Sequence, residues 1–291
     1  MNKAKKIISI TLVYLITFFI SPSLVLANEQ LVANEPANEI QAIIKRGKLI
    51  VAMYSQDTPP FYYIDKNNEL TGVDVVLIKG FADLLGVSVE FDRSAKFLDD
   101  VVEKVEKHQA DLAICKLSVT FGRAQRVLFA EPYVNLHQSL LINRLELSRQ
   151  LKGRSQEETI QNLAGKIGVV AKSSYVTYAK HFENMEIVQY PTWNEVVDHV
   201  VQGDITAAFR DDAEVKMILR DRPDTALHLL SVVLKDAKDP KGIALSLDHR
   251  NLKDLLDFYL KSLDLNLSAD KIINDYDNVI KIIQIKAKHK V

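Results

Sequence analysis

Short apolar runs alternate with amphipathic segments along most of this chain, and that alternation restricts it to a layered α/β architecture. Lys48 to Met53 (KLIVAM) is a strand-like run bounded by Gly47 and a Pro-containing loop. Phe61 to Ile64 and Leu70 to Val73 flank Asp65-Lys66-Asn67-Asn68, which reads as a hairpin turn. From Asp74 to Leu85 the apolar positions recur at helical spacing, and Gly86 closes the helix. Val87 to Phe91 alternates, Leu98 to Lys107 is helical, and Asp111 to Lys116 (DLAICK) is a further buried strand. The rhythm then repeats: strands at Lys166 to Val170, Glu186 to Tyr190 and Ile205 to Phe209, helices at Val176 to Phe182 and around Val196 to Val201. The segment VVEKVEKHQADLAICK (101–116) is echoed by VVDHVVQGDITAAFRD (196–211), which suggests two lobes of similar construction. Asn251 to Leu263 and Ser268 to Tyr276 are predicted helices, followed by a Lys-rich tail.

The N-terminus points to export. Lys3, Lys5 and Lys6 precede an uncharged run from Ile7 to Ile20, broken by Ser21-Pro22-Ser23 and followed by Val25-Leu26-Ala27. This is the three-part layout of a secretory signal, and the apolar run is shorter than the roughly 20 residues a spanning helix needs. Cleavage is expected after Ala27, with 28–46 a polar leader. Net charge is −1, which favours neither nucleic acid nor an anionic membrane as partner. Cys115 is the one cysteine, so there is no internal disulfide, and its apolar neighbours mark it as a buried, inert thiol.

Motifs for nucleophilic catalysis, zinc hydrolysis, paired-cysteine chemistry and phosphate loops are missing from the sequence. No catalytic residue, metal or cofactor is expected. The informative segment is Leu117-Ser118-Val119-Thr120-Phe121-Gly122-Arg123, directly after a buried strand. Thr120 is a candidate N-cap, which places Arg123 in the first turn of a helix, where a cation opposes the helix dipole. Two readings fit. Arg123 and Ser118 cradle a carboxylate, since a guanidinium grips one bidentately, or Arg123 pairs with a structural acid such as Glu131.

The chain resembles the family of bacterial extracellular solute-binding proteins that serve ABC importers of polar amino acids. The resemblance runs from about Arg46 to Tyr276, through RGKLIVAM (46–53), PPFYYIDKNNELTGVDVVL (59–77), ADLAICKLSVTFGRAQRVLFAEPY (110–133), LAGKIGVVAKSSYVTYAK (163–180), GDITAAFRDD (203–212) and GIALSLDHRNL (242–252). It implies an α/β, two-lobed type II periplasmic-binding-protein fold, with mixed sheets flanked by helices and a ligand cleft between the lobes. Lobe 1 would comprise 47–134 and 240–291 and lobe 2 138–236, with crossovers near 133–139 and 234–242. By the resemblance, Arg123 clamps a ligand carboxylate helped by Ser118, Asp211 binds an ammonium group, and Ser173 and Ser174 supply hydroxyls from lobe 2, where plain N-capping is the alternative. Such a protein works as a periplasmic monomer, closes on a small anionic or zwitterionic solute and hands it to an inner-membrane permease.

Departures from the family pattern bear on the ligand. Lys116 and Lys172 stand where Gly or another small residue is usual, one in each lobe. Taken singly each lysine reads as a solvated surface charge; two cleft-facing lysines favour a ligand with extra negative charge such as a dicarboxylate, or they fill the pocket and pair with Asp211. Thr58 replaces the usual aromatic platform, leaving Phe61, Tyr62 or Phe97 to stack on the ligand. An enzyme resembling cyclohexadienyl dehydratase, with Lys116 and Asp211 as acid and base, is the competing class, and a ligand sensor another. A lytic transglycosylase is not expected, for want of a catalytic domain after the binding module.

Overall fold

The structure is a computed structural model and describes residues 39–289. The expected signal segment and the cleavage point after Ala27 lie outside the described residues. The second part of the expected polar leader is not loose chain: Glu39–Arg46 forms helix α1, which buries Ile43, while Glu39 accepts the backbone N–H of Leu252 at 3.0 Å. No helix among the described residues is long and apolar enough to cross a membrane.

The first half follows the sequence pattern closely. Strand β1 (Lys48–Tyr54) is followed by a small hairpin, β2 (Tyr63–Ile64) and β3 (Leu70–Thr71), and then by α2 (Val73–Leu85). Gly86 ends α2 at φ 69°, the left-handed cap that glycine adopts without strain. Gly72, just before α2, is fixed by close approach, because a Cβ there would sit 2.2 Å from the Phe61 carbonyl oxygen. Next come β4 (Ser88–Ala95), α3 (Leu98–Glu106), β5 (Leu112–Ser118), the single turn α4 (Phe121–Ala124) and β6 (Leu128–Phe129).

The chain then crosses on β7 (Val134–Asn143) and continues through α5 (Arg144–Leu151) and α6 (Gln156–Gln161). Strand β8 (Gly165–Val170), α7 (Ser174–Tyr178), β9 (Met185–Tyr190), α8 (Trp193–Gln202), β10 (Ala207–Asp211) and α9 (Asp212–Asp221) repeat the βα rhythm. It returns on the long β11 (Leu229–Leu245) to α10 (Arg250–Leu263), α11 (Ala269–Asn274) and α12 (Tyr276–His289). The last expected helix is α11, and the stretch expected as a Lys-rich tail forms a further helix, α12, which packs Val279, Ile283 and Ala287 into the core.

Strand order is β4-β1-β5-β11-β7-β10-β8-β9, with β6 on β11. β1 is parallel to β4 and β5, and β10 to β8; β7 and β11 are antiparallel to each other and join the two halves. One apolar core gathers 43–136 and 243–287 with Ala213 and Met217; two further cores lie around β8, β10 and α8. The β7–β11 ladder slips between Val233 and Lys238, leaving Asp239 and Lys241 buried between the halves. The strands therefore deliver the ends of β5, β8 and β10 to one crevice, where open α/β sheets place their ligands.

Candidate ligand-binding cleft

Arg123 is held in the way its spacing predicted, but by a different acid. Thr120 caps α4, its hydroxyl accepting the Arg123 N–H at 3.2 Å. The buried guanidinium donates from Nη1 to the Ser118 carbonyl at 3.1 Å, and from Nε and Nη2 to Asp99 Oδ1 at 3.2 and 2.8 Å. Glu131 pairs instead with Lys261 at 3.7 Å. The Asp99 side chain is 43% exposed and so reaches Arg123 from the solvent side. The other predicted hydroxyls meet here as well: Ser174 donates to Ser118 Oγ at 3.0 Å. Ser173 is buried at the N-cap position of α7, yet makes no capping bond and donates to the Val170 carbonyl at 2.6 Å.

Lys116 fills the centre of the crevice. Its φ is 54°, a left-handed conformation that glycine adopts without strain, and its backbone N–H donates to Asp74 Oδ2 at 2.8 Å. Its ammonium donates to Asp211 Oδ1 and Oδ2 at 3.0 and 2.9 Å and to Glu214 Oε1 at 2.7 Å, 5.1 Å from the Phe61 ring. All three ammonium donors point at carboxylates. Burial alone would depress the Lys116 pKa; Asp211 and Glu214 outweigh it and raise the pKa above the ordinary lysine value. Burial likewise acts to raise Asp211, but Lys116, Lys241 and Arg210 hold its carboxyl well below the usual range. Asp211 also caps α9, accepting the Glu214 N–H at 3.2 Å.

A second buried lysine was missed from the sequence. Lys241 Nζ bonds Asp239, reaches Asp211 Oδ2 at 3.4 Å and donates to Ser118 Oγ at 3.1 Å, while Tyr175 donates to Asp239 at 2.7 Å. Lys172, by contrast, does not enter the cleft. It shares the positive φ (50°) but is exposed at the rim, its Nζ 4.5 Å from the Phe97 ring and 3.6 Å from Asp100. Phe97 is thus at the rim and Phe61 beneath Lys116. Thr58 is buried and engaged with the Tyr62 hydroxyl at 3.0 Å.

Beside this cluster lies a cavity of about 240 Å³, lined by Tyr54, Thr58, Val170, Trp193, Arg210 and Glu214 among others. Three of its buried polar atoms, Tyr54 Oη, Trp193 Nε1 and Arg210 Nη1, have no hydrogen-bond partner among the described residues. All three carry a hydrogen to donate.

Asp74, under Lys116, is fully buried, and burial pushes its carboxyl up to about 7 against the smaller opposing pull of Tyr133 and Lys116. A carboxyl raised in the folded state favours folding when protonated, so its contribution is lost as pH rises from about 4 to about 7, at roughly 1.4 kcal/mol per unit. Asp74→Asn keeps an acceptor for the Lys116 N–H and removes the charge. Its melting temperature relative to the wild type should therefore climb between pH 4 and 7 and level off above; a constant difference across that range would show that Asp74 ionises freely.

Residues 50–278 match the family described as bacterial extracellular solute-binding proteins, family 3, and the chain belongs to that family. The ABC transporter arginine-binding protein 1 of Escherichia coli K12 is 24% identical over 75% of this chain and 86% of its own length. The membrane-bound lytic murein transglycosylase F of Saccharophagus degradans is 34% identical, over 53% of this chain. The chain spans only about a quarter to a half of the length of such transglycosylases. Among solved structures, a Streptococcus pneumoniae amino acid ABC transporter substrate-binding protein bound to L-arginine superposes with TM-score 0.65 at 25% identity, covering 85% of this chain and 98% of that one. An ancestral amino acid-binding protein described as a precursor of cyclohexadienyl dehydratase gives 0.64 at 25%, covering 84% and 98%. The fold is accordingly the two-lobed type II periplasmic-binding-protein architecture.

Proposed function

We propose that this protein is the exported solute-binding component of an ABC importer and captures a small organic acid between its lobes. The observation that carries this reading is the bond from Lys116 to both oxygens of Asp211. Asp211 is the acid the family resemblance assigns to a ligand ammonium, and here the chain supplies the ammonium itself. The solute then has no need of one. Arg123 is the clamp in this reading: its Nε and Nη2 hold the Asp99 carboxylate, and an exposed aspartate is readily displaced by a ligand carboxylate. Ser118 and Ser174 flank the clamp, and the donor-lined cavity at Arg210 suits a second acceptor group, as in a dicarboxylate. Differential contacts with the closed lobes then drive closure, which the permease reads.

Binding without turnover is favoured over an elimination enzyme. A general acid or base works best with its pKa near the working pH, whereas Asp211 is driven down and Lys116 up, away from neutrality. The test is thermal shift of the mature chain against mono- and dicarboxylates, L-arginine, L-glutamine and prephenate. At a hundred times its Kd a true ligand adds about 2.7 kcal/mol, worth roughly 5–10 °C for a chain of this size. An organic acid should give that shift, and Arg123→Ala should abolish it. A larger response to the two amino acids than to every organic acid would overturn the reading, as would consumption of prephenate.

A further inference from the structure

On the far side of the first half from the cleft, the turn after α3 meets the turn that leads into α10. His108 comes from the first and Asp248 and His249 from the second, and one ligand atom of each lies within 4.8 Å of the others. Strand β5 separates the two regions: His108 precedes its start, and Ser118 ends it in the cleft. Seven residues at about 3.3 Å each put roughly 20 Å between them.

Each imidazole is oriented by a neighbour. His249 Nδ1 lies 3.4 Å from the Asp111 carbonyl, which leaves Nε2 as its available lone pair. Asp111 is itself fixed, its carboxylate accepting the Ile50 N–H at 2.7 Å and pairing with Arg46. His108 Nε2 lies 3.4 Å from Ser246 Oγ, which turns Nδ1 toward Asp248 Oδ1, 3.9 Å away. That separation is too long for a hydrogen bond. It is near the spacing of about 3.3 Å between neighbouring donors of a tetrahedral ion with ligand bonds of about 2.0–2.1 Å. Metal-binding histidines are commonly held in this manner through their second nitrogen by a carbonyl or hydroxyl.

We propose that His108, Asp248 and His249 form a surface site for a divalent first-row transition ion, with zinc the best fit. Two imidazoles and one carboxylate select Zn²⁺, Ni²⁺ or Cu²⁺ over Mg²⁺ or Ca²⁺, which require mostly oxygen donors. Three protein ligands leave a fourth position for water. The ion would clip the α3–β5 turn to the start of α10, and it is independent of the solute in the cleft.

Calorimetric titration of the metal-stripped mature chain with zinc chloride tests this directly. We expect one equivalent bound in the micromolar range, a tetrahedral absorption band when cobalt replaces zinc, and no effect of calcium. His249→Ala and His108→Gly, the latter compatible with the φ of 55° at this position, should each weaken zinc at least tenfold. Arg123→Ala should leave it unchanged, which separates this site from the proposed carboxylate clamp. No binding tighter than about 100 μM, or zinc binding indifferent to both histidine substitutions (an adventitious ion only), overturns the proposal.

Discussion

Lys116→Gly is expected to convert the cleft from one that supplies its own ammonium to one that requires it from the ligand. The substitution leaves Asp211 without one of its two lysines and Glu214 without its closest cation, both between the lobes. Breaking a buried ion pair by removing one partner typically costs 3–5 kcal/mol. Against this, glycine relieves the left-handed backbone at φ 54°, worth about 1–2 kcal/mol. The apo variant should therefore melt several degrees lower and favour the open form. Zwitterionic amino acids should then restore the melting temperature and bind roughly a hundredfold better than to the wild type, the equivalent of about 2.7 kcal/mol recovered by one ammonium. Lys116→Met keeps the bulk and the backbone strain but lacks the charge, so it should be destabilised and gain no amino-acid response. If the glycine variant matched the wild type in both melting temperature and ligand profile, the ammonium at Asp211 would have no part in selectivity.

How far the sequence reaches is visible in the residues around this pair. The βα rhythm was legible because hydrophobic period is local: α2, α3, β5 and β8 appear within a residue or two of their expected ends, and Gly86 marks a stop. Arg123 could be placed for the same reason, since Thr120 fixes the start of α4. Its partner could not, because Asp99 lies 24 residues away on another helix, and Glu131, nearer in sequence, turns to Lys261. Lys116 and Lys172 looked alike, standing at equivalent small-residue positions with the same backbone sign, yet one is buried and the other exposed. The difference is what each side chain meets: two carboxylates from the second half in one case, the Phe97 ring and solvent in the other. Lys241 and Asp239 went unseen in the crossover, where KDPK reads as polar loop and only the pairing of β7 with β11 buries it. Glu214 carried a faint signal, three residues after Asp211 at the head of a helix. That is the spacing of a capping box, and it obscured its ion-pairing role.

The charge arithmetic of the cleft leads to the second large effect. Lys116, Lys241 and Arg210 surround Asp211, with Glu214 and Asp239 as the neighbouring anions, so cations and anions balance. Asp211→Asn removes one anion from this set and keeps the N-cap of α9, because asparagine caps as well as aspartate. The loss is therefore one of charge, expected at about 3–5 kcal/mol, and should appear as a lower urea midpoint and a larger radius of gyration in scattering as the lobes part. A carboxyl depressed in the folded state gives stability that is complete above its ordinary pKa near 4 and is lost as pH falls below it. The wild type should accordingly lose this increment below pH 4, and the asparagine variant, having none to lose, should show a flatter acid limb. Lys116→Met combined with Asp211→Asn provides the internal check. If the two side chains act as one latch, the double variant should be more stable than the sum of the single losses implies, with a coupling of about 2–3 kcal/mol. A coupling under about 0.5 kcal/mol would mean that Lys241 and Arg210 hold Asp211 unaided, and that the Lys116 ammonium closes nothing.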